Sequence, residues 1–264
     1  MSKNNYKNIL LKKNSEPITC LTAYSKPLAI LLDGKVDLIL IGDSLGTTLY
    51  GMKNTREVSL EMMKNHGKAV VKNTTISMTI VDMPYNTYRN KKEALKNAKD
   101  ILNFTKADFI KIETDKKNIN IVKYLSENNI KVISHIGVTP QKFSDFNKIK
   151  SVGKNSKDIN ELITLANKLE NAGSKFIILE CVSLTAAKEI TNSLSVPTIG
   201  IGSSKNCDGQ VLVIDDVLNF NSKNKKPKFV KNFINIENNI IRAINLFVKE
   251  VKSKKFPSNK KSYK

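Results

Sequence analysis

Eight short apolar, β-branched runs separated by longer amphipathic stretches limit how this chain can fold more than any other feature. The runs are Ile18–Ala23, Val36–Ile41, Ile76–Val81, Phe109–Ile112, Lys131–Ser134, Lys175–Leu179, Val196–Ile201 and Val211–Ile214. Between most of them apolar residues recur at helical spacing, as in Val58–Val71, Lys91–Phe104, Ile119–Asn128, Ile159–Ala172 and Ser183–Ser193. Asn73 and the Asn171-Ala172-Gly173 turn supply helix stop signals. Strands that alternate with helices run parallel, each joined to the next by a crossover. Eight such units in 264 residues favour a closed α/β fold, the (β/α)₈ TIM barrel of about 250 residues, over an open doubly wound sheet. No G-x-G-x-x-G turn follows the first run, which counts against a dinucleotide-binding fold. No stretch rich in Pro, Gly or Ser divides the chain. A single barrel domain over residues 1–264 is therefore expected, with a polar N-terminal lead (1–16) and a basic C-terminal helix and tail (221–264). That helix, Phe233 to Val251, is amphipathic and suited to covering the outside of a barrel.

The formal net charge of +20 raises the question of nucleic acid, because a basic surface attracts phosphates without regard to sequence. The lysines, however, are spread along the chain among asparagines. Even the densest part, 221–264, with 13 Lys or Arg against Glu237 and Glu250, lacks the interleaved aromatics of a single-strand binding surface. A solvated basic surface is the expected reading, with no nucleic-acid partner. No apolar run approaches the roughly 20 residues a membrane span needs, and no apolar segment of a secretory signal follows the polar start. A cytoplasmic protein with no membrane partner is expected. Cys20, Cys181 and Cys207 form no CxxC pair and read as three free thiols, two of them on apolar strands.

The chemistry lies in what ends the strands. Val36–Asp43 and Ile76–Asp82 each finish in aspartate, the first followed by Ser44; Phe109–Glu113 and Lys175–Glu180 finish in glutamate, and Lys131–His135 in histidine. In a parallel barrel these ends open onto one face, where barrel enzymes place their catalytic groups. For any single acid a helix N-cap explains the residue equally well. Four acids at four strand ends are harder to explain that way, because clustered carboxylates repel one another and need a cation to coexist. Oxygen ligands spread over several strands suit a hard divalent ion such as Mg²⁺, and no Cys/His cluster points to zinc. Lys111 and Glu113, two apart, share one side of their strand, with Ile112 facing the helices. The lysine is then a partner for the acids or a substrate ligand. A Schiff-base role is disfavoured, since surrounding carboxylates hold its pKa high.

The runs Thr22-Ala-Tyr24, Gly42-Asp-Ser-Leu-Gly46, Val81-Asp-Met-Pro84, Ile110-Lys-Ile-Glu113, His135-Ile-Gly-Val-Thr-Pro-Gln141, Leu179-Glu-Cys-Val182, Pro197-Thr-Ile-Gly-Ile-Gly202 and Asp208-Gly-Gln210 stand in the order seen in the ketopantoate hydroxymethyltransferase family. The chain resembles that family from about residue 16 to about residue 235. In combination the second, fifth and sixth runs are very specific; each alone is weak. The resemblance implies a barrel of the phosphoenolpyruvate-mutase-like group, assembled as a homo-oligomer, usually a decamer. It implies transfer of a hydroxymethyl group from 5,10-methylenetetrahydrofolate to 3-methyl-2-oxobutanoate, in pantothenate and coenzyme A synthesis. By position, Asp43, Asp82 and Glu113 correspond to the acids around Mg²⁺. Asp43, Ser44, Asp82, Lys111 and His135 fall at or beside the keto acid, and Glu180 matches the general base. Physical chemistry agrees with these roles. A cation on the ketone oxygen stabilises an enolate, and a carboxylate at the strand end is a group able to act as the general base.

The sequence departs from the family's usual pattern at Ser25, at Thr114-Asp115 and at Ser203-Ser204. The loop after Glu113 is expected to be stiffer or differently bent, because glycines commonly stand there. His66 reads as a surface or packing residue on its helix. Two other functions compete. A metal-dependent 2-oxo acid lyase or mutase of the same barrel group is opposed by Glu180 in its Leu-Glu-Cys-Val setting. A basic nucleic-acid-binding protein leaves the acidic strand ends unexplained.

Overall fold

The computed structural model describes residues 5–145, 150–220 and 227–256. The expected eight strands all form: β1 (Ile18–Thr22), β2 (Leu38–Ile41), β3 (Met78–Asp82), β4 (Phe109–Glu113), β5 (Val132–Gly137), β6 (Phe176–Glu180), β7 (Thr198–Ile201) and β8 (Gly209–Leu212). They pair in parallel in sequence order, and β8 returns to β1 to close the barrel. The helices of this part are α1 (Tyr6–Leu11), α2 (Lys26–Leu32), α3 (Leu45–Thr48), α4 (Leu60–Val71), α5 (Lys91–Thr105), α6 (Ile119–Glu127), α7 (Ser156–Asn171) and α8 (Leu184–Ser193). Side-chain caps start several of them: Ser59, Asn90, Asn155 and Ser183 each accept a bond from a backbone N–H in the first turn. Gly173, at φ +100°, ends the turn after α7. Barrel and helices form one compact unit, Met1–Val213; Ile214–Lys264 forms a second.

The two-residue period of a strand explains how an apolar core and a polar mouth come from the same segments. Inward positions begin apolar: Ile18 and Cys20, Leu38 and Leu40, Met78 and Ile80, Phe109, Ile133, Phe176 and Ile178, Ile199 and Val211 share one buried cluster. Continuing the same parity toward the carboxyl ends gives Asp82 on β3, Lys111 and Glu113 on β4, His135 on β5 and Glu180 on β6. Ile39, Ile41, Val81, Ile110 and Ile112, of opposite parity, are also buried, as expected for strands covered on both faces.

Three strand starts carry one repeated device. Asp37 accepts from the N–H and hydroxyl of Thr19 at 2.8 and 2.9 Å, Asp108 from Thr79 at 2.8 and 3.0 Å, and Asp208 from Thr198 at 2.8 and 3.1 Å. Each clamp ties one strand to the next and fixes their register.

Three expectations are corrected. The lead 1–16 contains helix α1, whose Ile9 is buried and joins the core cluster. Tyr6 packs edge-on against Phe109 and Phe176, with centroids at 5.8 and 6.0 Å. Two apolar positions three residues apart are too few to show as a period in the sequence. The eighth strand sits two residues early, because Ile214 begins a helix, α9 (Ile214–Leu218). Of the cysteines, all free, Cys20 alone lies on a strand. Cys181 follows β6 at φ +51°, and Cys207 precedes β8. In the second unit, α10 (Ile236–Lys252) has no buried residue, and Ile244 and Phe247 are each 55% exposed. Parts of the basic tail, 221–226 and 257–264, lie outside the described residues. Among the described residues no helix is long and apolar enough to cross a membrane.

Candidate active site

Every strand-end residue singled out above arrives at the same mouth of the barrel. Asp43 follows β2, and its N–H donates to Asp82 Oδ2 at 3.0 Å. The Lys111 ammonium donates to the same oxygen at 2.9 Å. Gly42 leaves room for the next side chain: a Cβ there would sit 2.9 Å from Ser44 Oγ. Ser44 precedes α3 and its hydroxyl meets the buried Tyr24 hydroxyl at 2.7 Å. Tyr24 is braced in turn by His66. A carbonyl can only accept, so His66 Nδ1 is the donor to Tyr24 O at 2.6 Å, and Nε2 lies 2.9 Å from the Tyr50 hydroxyl. His66 is thus a strut beneath the site.

On the other side, His135 Nε2 lies 3.1 Å from Glu180 Oε2, and Nδ1 lies 3.9 Å from Glu113 Oε1. Neither contact is aligned as a hydrogen bond, so both ring nitrogens are buried without a partner. Gly137, at φ +97°, lets β5 reach the end of β6: a Cβ there would lie 2.4 Å from the Glu180 carbonyl oxygen. The Glu180 side chain, 19% exposed against 2% for Asp82, is the more open to an incoming molecule.

The charges explain each other. Burial, then the neighbouring Asp82, pushes the Asp43 carboxyl up to about 7. Burial and Asp43 raise Glu113 well above the carboxylate range. Burial opposes the Lys111 charge, but Asp82, Asp43 and Glu113 outweigh it and hold the ammonium above its ordinary value, against a Schiff-base role. Burial keeps His135 below its usual value in spite of Glu180, so the imidazole is neutral near pH 7.

Sequence reasoning gave Gln141 and Tyr88 no role. Pro140 opens a 3₁₀ turn, Pro140–Lys142, and the next N–H, that of Gln141, donates to both oxygens of Glu113 at 3.1 and 3.2 Å. The Gln141 side-chain Nε2 donates to Asp43 Oδ2 at 2.8 Å and to Met83 O at 3.1 Å. Its Oε1 accepts from the Tyr88 hydroxyl at 2.5 Å. The run His135 to Gln141 held the signal: a buried amide six residues after a strand-end histidine, fixed by a proline turn. The Thr114-Asp115 departure also acquires a structure. Thr114 donates its N–H and hydroxyl to His135 O at 2.8 and 3.0 Å, and Asp115 pairs with Lys142 at 2.7 Å, tying β4 to the turn that carries Gln141.

Among the described residues no three acidic, imidazole or thiol groups form a ready-made metal cage. The donor set nonetheless fits a hard divalent cation. It has an excess of buried carboxylate, and Asp82 Oδ1 is buried with no partner. Mg²⁺ takes one or two protein carboxylates and completes its shell with water and substrate.

Known proteins bear on the same residues. The family model described as ketopantoate hydroxymethyltransferase matches residues 3–259. The 3-methyl-2-oxobutanoate hydroxymethyltransferase of Pelagibacter ubique is 48% identical over 256 residues, covering 97% of this chain and 98% of the relative. That of Anaplasma marginale is 42% identical, covering 98% and 93%. Among solved structures, phosphonopyruvate hydrolase overlays with a TM-score of 0.63 at 11% identity, covering 98% of this chain and 93% of its own. A 2,3-dimethylmalate lyase of the PEP mutase/isocitrate lyase superfamily overlays at 0.57 and 11%, covering 98% and 91%. At such low identity these two speak for the barrel alone. The motif resemblance and the full-length matches agree, and the chain belongs to the ketopantoate hydroxymethyltransferase family.

Proposed function

We propose that the barrel mouth transfers a one-carbon unit from 5,10-methylenetetrahydrofolate to the third carbon of 3-methyl-2-oxobutanoate, giving 2-dehydropantoate in pantothenate synthesis. The carrying observation is the meeting of four acids, one ammonium and one neutral imidazole at one mouth, with a buried Asp82 oxygen left without a partner. Asp43 and Asp82 would hold Mg²⁺, with Glu113 behind them. When bound there, the cation supplies Lewis acidity at the ketone oxygen.

The chain's own residues do the rest. Lys111, kept charged by the acids around it, binds the substrate carboxylate. The Ser44 hydroxyl and the neutral His135 ring offer polar contacts to the keto acid. Glu180 takes the proton from the third carbon, and the electron pair left behind forms the enolate. Water breaks both C–N bonds of the folate's methylene bridge, freeing formaldehyde and tetrahydrofolate. The enolate carbon then attacks the formaldehyde carbon, and the new alkoxide takes the proton that Glu180 removed, giving the product's hydroxyl. Removing the proton with a positioned carboxylate contributes about 10²–10⁴-fold to such a step. A cytoplasmic homo-oligomer, decameric as the family resemblance implies, completes the reading.

The test is wash-out of deuterium from the third carbon of the keto acid, followed by NMR with and without Mg²⁺. Exchange that needs Mg²⁺ and collapses in Glu180→Gln supports the assignment. Exchange indifferent to Glu180, or a folate-independent phosphonate chemistry in its place, would overturn it and favour the lyase or mutase reading.

A further inference from the structure

We propose that Gln141 is a positioning residue for the cation site, and that Tyr88 sets the orientation of its amide. This rests on the reading that Asp43, Asp82 and Glu113 serve that site. A neutral amide is the group such a place requires. A carboxylate at position 141 would add another negative charge beside Asp43 and Glu113, and an apolar side chain would leave Asp43 without its donor. Gln141 serves both acids at once, Asp43 through Nε2 and Glu113 through its backbone N–H.

The orientation is determined by its neighbours. Both hydrogens of the NH₂ group are committed, one to Asp43 Oδ2 and one to Met83 O. Turning the amide over would set Oε1 against those two acceptors, an oxygen facing two oxygens. The Tyr88 hydroxyl reinforces the choice by donating to Oε1, and burial keeps that phenol protonated. All three polar positions of the amide are therefore used, and Gln141, 3% exposed, has no second way to satisfy them. An amide held this way leaves Asp43 and Glu113 little freedom to turn away from a shared ion. Partners one step removed from the ligands typically change metal affinity by about 10–100-fold when lost.

The experiment titrates Mn²⁺ into the full-length protein and reads the free ion by electron paramagnetic resonance, with no substrate present. Tyr88→Phe deletes one hydroxyl, and Gln141→Leu removes both polar ends of the amide. Mn²⁺ affinity is expected to fall about 10-fold or more in Gln141→Leu and about 3-fold or more in Tyr88→Phe. In turnover assays the Mg²⁺ requirement should rise in step, while KM for the keto acid at saturating Mg²⁺ stays near the parent value. A merely structural amide would lower the melting temperature and leave Mn²⁺ affinity within twofold of the parent; that result overturns the proposal. If Gln141→Leu fails to fold, Tyr88→Phe decides alone by the same criterion. A parent that binds Mn²⁺ only while Asp43 and Asp82 are intact upholds the cation site whichever way the variants fall. A parent that binds none removes both readings.

Discussion

Asp43→Asn takes one negative charge out of the barrel mouth while keeping the side chain's shape. In the folded protein burial and the nearby Asp82 move the Asp43 carboxyl from an ordinary 3.8 to about 7. A gap of about three units is worth about 4 kcal/mol at ~1.36 kcal/mol per unit. The fold holds this proton more tightly than the unfolded chain does. The stabilisation is therefore complete below pH 3.8 and lost as pH rises through about 7. At pH 8 without metal the parent carries the whole cost of the buried charge, and an amide carries none. The amide accepts a weaker bond from Gln141, which offsets part of the gain. Asp43→Asn should then be the more stable protein by about 2 kcal/mol, a rise in Tm of roughly 4–8 °C at this size. Near pH 4 the advantage should shrink toward zero. Added Mg²⁺ should reverse the order, because a ligand at 100 times its Kd stabilises by about 2.7 kcal/mol and the variant has lost a donor. Thermal unfolding monitored by circular dichroism, at pH 4 and pH 8 with EDTA or Mg²⁺, measures all of this. A variant no more stable than the parent at pH 8 in EDTA, or equal stabilisation of both by Mg²⁺, would refute the charge argument.

Glu180→Gln should slow turnover about 10²–10⁴-fold with an unchanged melting curve, read by steady-state kinetics beside calorimetry. Lys111→Met leaves Asp82 buried without its ammonium partner and should cost about 3–5 kcal/mol; in urea denaturation with Mg²⁺ withheld, a loss below 1 kcal/mol would contradict the pairing. Phe176→Ala opens a void beneath Tyr6 and Phe109 and should cost about 3–5 kcal/mol in the same assay. Gly137→Ala forces a methyl group onto the Glu180 carbonyl at a positive φ. It should lower kcat together with stability, so a variant with parental kcat would show that the end of β6 need not be held there.

Much of the molecule is legible in one dimension because the two relevant periods are local. A run such as Phe109-Ile-Lys-Ile-Glu113 alternates faces by itself, so it announces a strand, a buried start and a polar end without knowledge of its neighbours. The same holds for the acids that finish Val36–Asp43 and Ile76–Asp82 and for the stop signals at Asn73 and Gly173. Closure of eight such units follows from their number and length. What the chain could not announce depends on pairs far apart in sequence. Gln141 finds Asp43 from 98 positions away, and Tyr88 finds Gln141 from 53. Tyr6 becomes core only because Phe109 and Phe176 stand beneath it. No local pattern records such meetings. The unusual charges of Asp43, Glu113 and His135 are likewise products of enclosure: each residue type is ordinary in water, and only the closed barrel removes the solvent that would keep it so.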